Sequence, residues 1–295
     1  MTKIRIATRR SALALAQTRM IAAALRERWP GLETEEVQIV TEGDRVQDRS
    51  LALIGGKGLF IKELEAALLE GRADLAVHSM KDLPADLAPG LTLAAVPERE
   101  SPWDLLVTAD GRALDALPHG ARIGTSSLRR QIQLKAARTD VVIEMLRGNI
   151  DTRLRRLREG AFDAIVLAEA GVRRLGLEAN AVRLEGIVVP AIAQGALALE
   201  TREDDTSTVD AVRVLTHAES ELRARAERSV LRAMHGSCTT PVGALATREG
   251  GKLRMDGFLA STDGARHVRD SVDAVDGESV EQTGERLAQR LMAGI

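Results

Sequence analysis

The chain has 295 residues, 44% of them hydrophobic and 28% charged. That length holds two or three domains, and it can bury enough apolar surface to fold without a disulfide or a structural metal. A net charge of −2, one cysteine and 2% aromatic residues argue against nucleic-acid binding by base stacking, against an intrachain disulfide and against a multi-cysteine zinc site.

Nothing approaches the run of roughly 18 apolar residues that spans a membrane. The short apolar stretch near the N-terminus is flanked by arginines and does not read as a signal peptide. A cytoplasmic protein is expected, with no membrane partner, no nucleic acid and no metal. There are 35 arginines against 6 lysines, and Lys57, Lys62 and Lys81 lie close together. Local arginine clusters suit small polyanions, because a guanidinium pairs with a carboxylate through two hydrogen bonds.

Residues 4–8 read as a strand. Ser11 then caps a helix over 12–28, which stops at Trp29-Pro30-Gly31. Residues 35–41 form a second strand, 59–71 a helix ending at Gly71, and 74–79 a short buried strand. This alternation predicts a mainly parallel sheet. The pattern restarts with strands at 121–127, 141–146 and 163–168 and helices at 128–138 and 150–160. Ile6-Ala7-Thr8 and Ile123-Gly124-Thr125 open the two halves alike, so two similar α/β lobes are expected. From about 218 the signal changes. A long helix over 218–234 precedes three strands joined at Glu249-Gly250-Gly251 and Thr262-Asp263-Gly264, followed by a helix over 278–292. Such turns mark an antiparallel meander, hence a smaller α+β C-terminal domain with a three-stranded sheet.

Ligands of open α/β sheets bind beyond the carboxyl ends of strands. Here those ends carry Thr8-Arg9-Arg10-Ser11, His78-Ser79-Met80-Lys81-Asp82, Thr125-Ser126-Ser127 and Arg147-Gly148-Asn149. Arg129 and Arg130 fall in the first turn of a helix, a poor place for positive charge unless an anion is bound there. Asp82 reads either as a turn acid before Leu83-Pro84 or as a carboxylate at the mouth of a lobe. Gly55-Gly56-Lys57-Gly58 lacks P-loop spacing and is a lid or a plain turn. His78, inside a buried strand, reads as a satisfied core histidine. Cys238 is either an inert thiol or an accessible sulfur; its loop setting between Gly236 and Pro241 favours the second.

Six motifs occur in an order that resembles the porphobilinogen deaminase family: residues 6–11, 55–60, 77–82, 124–130, 146–149 and 236–238. The resemblance covers nearly the whole chain. It implies two lobes built like those of periplasmic binding proteins, with domain 1 over 1–98 and 196–216, domain 2 over 99–195 and domain 3 over 217–295. It implies a monomeric transferase that joins four porphobilinogen molecules head to tail into hydroxymethylbilane and releases ammonia. The chain is then expected to grow on a dipyrromethane cofactor held by a thioether to Cys238.

Asp82 matches the catalytic aspartate of that family. Lys81, Ser11, Thr125, Ser127, Arg129, Arg130 and Gln194 are expected to hold the cofactor. Arg9, Arg147, Arg153, Gln17, Lys57, Phe60 and Ser126 are expected to hold substrate. Three positions depart from the family pattern: Ser237 and Ala193 stand where glycine is expected, and Glu42 where a non-acidic residue is. The rival from another class is a non-catalytic two-lobed binding protein for small organic anions, which accounts for the arginines but leaves a loop cysteine unexplained.

Overall fold

The computed structural model describes residues 2–41, 61–235 and 240–295. The described residues pack into two compact units. One holds the chain up to Glu100 with Ala196–Ala224; the other holds Ser101–Gly195, Arg225–His235 and Thr240–Ile295.

The first unit is built on a five-stranded sheet of β1 (Lys3–Arg9), β2 (Glu33–Ile39), β3 (Leu75–Ser79), β4 (Leu91–Ala95) and β10 (Leu197–Arg202), in the order β2-β1-β3-β10-β4. Alternation along β1 sends Ile4 and Ile6 to one face and Ala7 to the other, as the two-residue period of a strand requires. On the first face α1 (Ala12–Arg28) supplies Ile21 and Leu25, and α6 (Thr206–Arg213) supplies Val212. On the second face lies α2 (Lys62–Leu69), through Leu64, Ala67 and Leu68.

The second unit repeats the plan. Its sheet is β5 (Asp104–Thr108), β6 (Arg122–Gly124), β7 (Val142–Glu144), β8 (Ala164–Ala168) and β9 (Ala181–Arg183), in the order β7-β6-β8-β5-β9. The helices α3 (Leu128–Ala137) and α4 (Ile150–Arg158) cover opposite faces through Leu134 and Leu154, and α5 (Glu169–Arg174) follows β8.

The alternating pattern of the sequence located the parallel strands but missed β4, β5, β9 and β10. Two of these correct the expected parallel arrangement. β10 runs antiparallel to β3 and β4, and β5 runs antiparallel to β8 and β9. In both sheets the reversed strand is the first one after the chain passes from one unit to the other. It therefore arrives without the crossover helix that makes neighbours parallel.

The remaining elements are α7 (Ala218–Ala233), the strands β11 (Val242–Glu249), β12 (Lys252–Ala260) and β13 (His267–Asp273), and α8 (Val280–Ala293). The three strands form the expected antiparallel sheet. Its first strand meets residues 189–190 backbone to backbone: a Cβ on Gly243 would come within 2.6 Å of the Pro190 carbonyl oxygen. Ser279 and Gln282 form a capping box at the start of α8, satisfying two end donors reciprocally. Among the described residues no helix is long and apolar enough to cross a membrane.

Candidate active site

In the first unit, one pocket gathers Arg9, Ser11, Gln17, His78, Ser79 and Asp82. Arg9 closes β1, and Ser11 is the N-cap of α1, its hydroxyl accepting from the Ala14 amide at 3.3 Å. Gln17, one and a half turns further along α1, is buried and donates from Nε2 to Ser79 Oγ at 3.0 Å. The chain leaves β3 in a single 3₁₀ turn, Met80–Asp82. Met80 is buried beneath this turn, Lys81 is half-buried, and Asp82 is exposed. An exposed carboxylate beside an arginine and a helix N-terminus is placed to meet a positive or N–H-bearing ligand group. His78 donates from Nε2 to Glu200 Oε2 at 2.8 Å, as a satisfied core histidine should.

The second unit carries the other set of strand ends. Thr125 is buried after β6, and its Oγ1 accepts from the Ser127 amide at 3.2 Å. Ser126 is exposed and Ser127 half-buried. Arg129 and Arg130 are both buried, and the anion their helix position calls for comes from the protein itself. Asp104, wholly buried at the head of β5, lies 2.9 Å from Arg129 Nη2 and 2.6 Å from Arg130 Nη2. Gln194 donates from Nε2 to the same carboxylate at 2.9 Å and to the Pro102 carbonyl at 2.8 Å. Burial alone would push Asp104 upward. The charges of Arg129 and Arg130, with hydrogen bonds from Arg130 and Gln194, instead hold it well below the usual carboxylate range. Further donors tie Arg129 to the Val189 carbonyl and Arg130 to that of Val166.

Arg147 follows β7, and Arg153 lies in the first turns of α4 with Nε donating to the Gly148 carbonyl at 2.8 Å. Gly148 has φ +103, and a Cβ there would come within 3.0 Å of Thr152. Only glycine lets the chain turn this tightly from Arg147 into the helix. Burial, then the charges of Arg130 and Arg147, pull Arg153 down to about 10. The positive charges of Arg130 and Arg147 thus bear on Arg153, and a ligand carboxylate suits the chemistry of such a cationic place.

Sequence reasoning missed Asp104. The signal was there: a charged residue opening an apolar strand, and two cations at a helix N-terminus lacking a partner. It also missed Glu169, buried, which accepts from Ser101 Oγ at 2.5 Å and Arg183 Nε at 2.8 Å. Ala193 has φ +56, a left-handed conformation that explains why glycine is the expected residue; its amide donates to the buried Glu227 at 2.6 Å. Lys57, Phe60, Glu42, Ser237 and Cys238 lie outside the described residues.

Residues 4–210 match the family description "Porphobilinogen deaminase, dipyromethane cofactor binding domain", and residues 221–293 match "Porphobilinogen deaminase, C-terminal domain". The chain belongs to the porphobilinogen deaminase family. Curated relatives named porphobilinogen deaminase include that of Sorangium cellulosum, 55% identical over 90% of this chain and 89% of the relative. That of Nitratidesulfovibrio vulgaris is 46% identical over 99% of this chain and 94% of its own. As a porphobilinogen deaminase family member the chain is a transferase of tetrapyrrole synthesis with a dipyrromethane-binding region. This decides against the non-catalytic anion receptor. Among solved structures, a methionine-binding lipoprotein of Bacillus subtilis overlays 74% of this chain and 92% of its own at a TM-score of 0.45 and 13% identity.

Proposed function

We propose that the pocket at Arg9, Ser11, Gln17 and Asp82 is where porphobilinogen reacts, and that Asp82 is the catalytic carboxylate. The observation that carries this reading is that Arg9, Ser11 and Gln17 line one pocket with Asp82, which lies far from them in sequence; Arg9, Ser11 and Asp82 fall in two of the family's motifs. Loss of ammonia from porphobilinogen leaves an electron-poor methylene-pyrrole cation. Asp82 accepts the pyrrole N–H and steadies that charge as it develops, with no reorganisation at the moment of reaction. Arg9 and Gln17 hold the acetate and propionate groups of the incoming ring, and Ser11 and Lys81 hold those of the cofactor. Lys57 and Phe60 are assigned to substrate by their motif.

In the second unit, Arg147 and Arg153 bind carboxylates directly. Asp104 fixes the planes of Arg129 and Arg130, so that their remaining donors and those of Thr125, Ser126 and Ser127 present a rigid anion surface; Gln194 braces Asp104 from the other side. Cys238 is the attachment point of the dipyrromethane. That group, when bound, supplies a pyrrole carbon nucleophile and keeps the growing chain from diffusing away.

The domain division that goes with this reading is 1–98 with 196–216, 99–195 and 217–295. The protein acts as a cytoplasmic monomer without nucleic acid. The deciding experiment is intact mass: wild type exceeds the bare chain by one dipyrromethane, and Cys238→Ser has the bare mass and no turnover. A Cys238→Ser protein with normal turnover overturns the attachment site.

A further inference from the structure

The first unit buries an acid–base pair that the reading above leaves idle. His78 is 6% exposed, and its Nε2 lies 2.8 Å from Oε2 of Glu200, which is wholly buried. The second carboxylate oxygen, Oε1, has no hydrogen-bond partner among the described residues. Placing an ionisable pair in a sheet interior with one oxygen unsatisfied is costly.

The fold does not demand it, because the twin sheet does without. Ile6 pairs with Leu75 as Ile123 pairs with Ala164, which makes Leu167 the counterpart of His78. Glu200 pairs with Ala76 as Val107 pairs with Ile165, which makes Val107 the counterpart of Glu200. Leu167 and Val107 are buried together in an apolar cluster. The same place in the same architecture is therefore filled stably by two hydrocarbons. At the same time His78 lines the pocket that holds Asp82.

The reaction leaves a task for such a pair. In each condensation the aminomethyl group reacts in its ammonium form: the C–N bond breaks, and nitrogen keeps the electron pair and departs as ammonia. A C–C bond forms from a pyrrole α-carbon to the methylene, and that carbon releases its proton. Ammonia takes up one proton to become ammonium, so one proton is moved for every ring added. Asp82 serves the cation as a counter-charge, and taking up that proton would cancel the charge.

We propose that His78, backed by Glu200, stores and passes on the proton released at the Asp82 pocket. The ring nitrogen not engaged by Glu200 takes it up, and the Glu200 carboxylate balances the imidazolium from behind. His78 is thus a proton relay that works alongside Asp82. Among the described residues, the charged and titratable groups around it are Glu200 on β10, Glu65 on α2, Asp82 in the 3₁₀ turn and Arg9 at the end of β1; α1 contributes the uncharged Gln17. Burial, then the charge of Glu200, holds Glu65 above its ordinary range. Glu65 is half-buried.

The inference rests on the assignment of Asp82, and the test separates the two. Rates of porphobilinogen consumption by the cofactor-loaded, full-length enzyme are measured across about pH 5 to 9, the range in which histidine titrates. His78→Gln should lower kcat at least about tenfold, leave KM within about twofold and remove one ionisation from the pH profile, about 1.4 kcal/mol of barrier or more. Glu200→Gln should keep that ionisation but displace it. The double variant His78→Leu/Glu200→Val copies the twin sheet. It should unfold at or above the wild-type midpoint and still show the rate loss.

A double variant or His78→Gln enzyme with the wild-type rate and profile overturns the relay. So does a double variant that cannot fold, because the pair is then structural. Asp82→Asn with the wild-type rate overturns the assignment of the pocket itself.

Discussion

The two five-stranded sheets share their strand order, and β10 pairs with β3 as β5 pairs with β8, yet they bury charge in different places. The first buries His78 and Glu200 on its α2 face and leaves Asp82 exposed at a strand end. The second is apolar at the positions matching His78 and Glu200, and buries Asp104 at the head of its reversed strand, where the first sheet has Leu197. A shared backbone plan thus fixes where strand ends lie, and a few charged substitutions decide what each end does. One end leaves a carboxylate exposed beside a pocket. The other uses a hidden carboxylate to hold two arginines in place.

The sharpest way to break this contrast is to remove the exposed charge. Asp82→Asn keeps the shape and should lose about 100-fold or more in kcat, as when one preorganised electrostatic group is removed. Steady-state kinetics check this, and an intact mass that still includes the dipyrromethane shows the site is otherwise whole. A rate within about threefold of wild type, under about 1 kcal/mol in barrier, refutes the role.

Removing the hidden charge should act on stability first. Asp104→Ala strands two buried guanidinium groups, at a cost of about 3–5 kcal/mol in urea unfolding. Because the folded protein holds Asp104 below the unfolded value near 3.9, its contribution is complete at neutral pH. That contribution drains away as pH falls toward about 4 and below, and Asp104→Asn should flatten this acid slope. A variant as stable as wild type at pH 7 means the carboxylate is dispensable.

A smaller effect is expected for Arg153→Gln. It should raise KM for porphobilinogen about tenfold, about 1.4 kcal/mol, with unfolding midpoint unchanged or slightly raised, since a crowded cation is gone. The smallest is Ala193→Gly. It relieves a left-handed alanine but frees the unfolded chain, for a net gain of about 1 kcal/mol or less by thermal melting.

Much of this was legible in the sequence. Helix α1 was readable because Ser11, a one-sided apolar pattern and Trp29-Pro30-Gly31 all agree on its ends. The C-terminal sheet was readable from its paired glycine turns. Strands β5 and β10 were not, because a strand reached from another part of the molecule carries no neighbouring helix or turn to announce it. The same fact hid Asp104 and Glu200, which sit on those two strands. Their partners, Arg129, Arg130 and His78, were visible, but a long-range ion pair is written in two places far apart and nothing local links them. The inference that Arg129 and Arg130 need an anion was sound in physics, and the protein supplies that anion itself.

The strand that completes the first sheet also has a temporal consequence. β10 lies between β3 and β4, yet it is encoded after all five strands of the second sheet. A chain emerging from the ribosome therefore has the whole second sheet available before the first can close. Until residues 197–202 appear, β3 and β4 each carry an open edge, the feature that invites wrong pairing between nascent chains. Birth order and assembly order run opposite to each other here, and truncated chains ending before residue 197 are the ones that should clump.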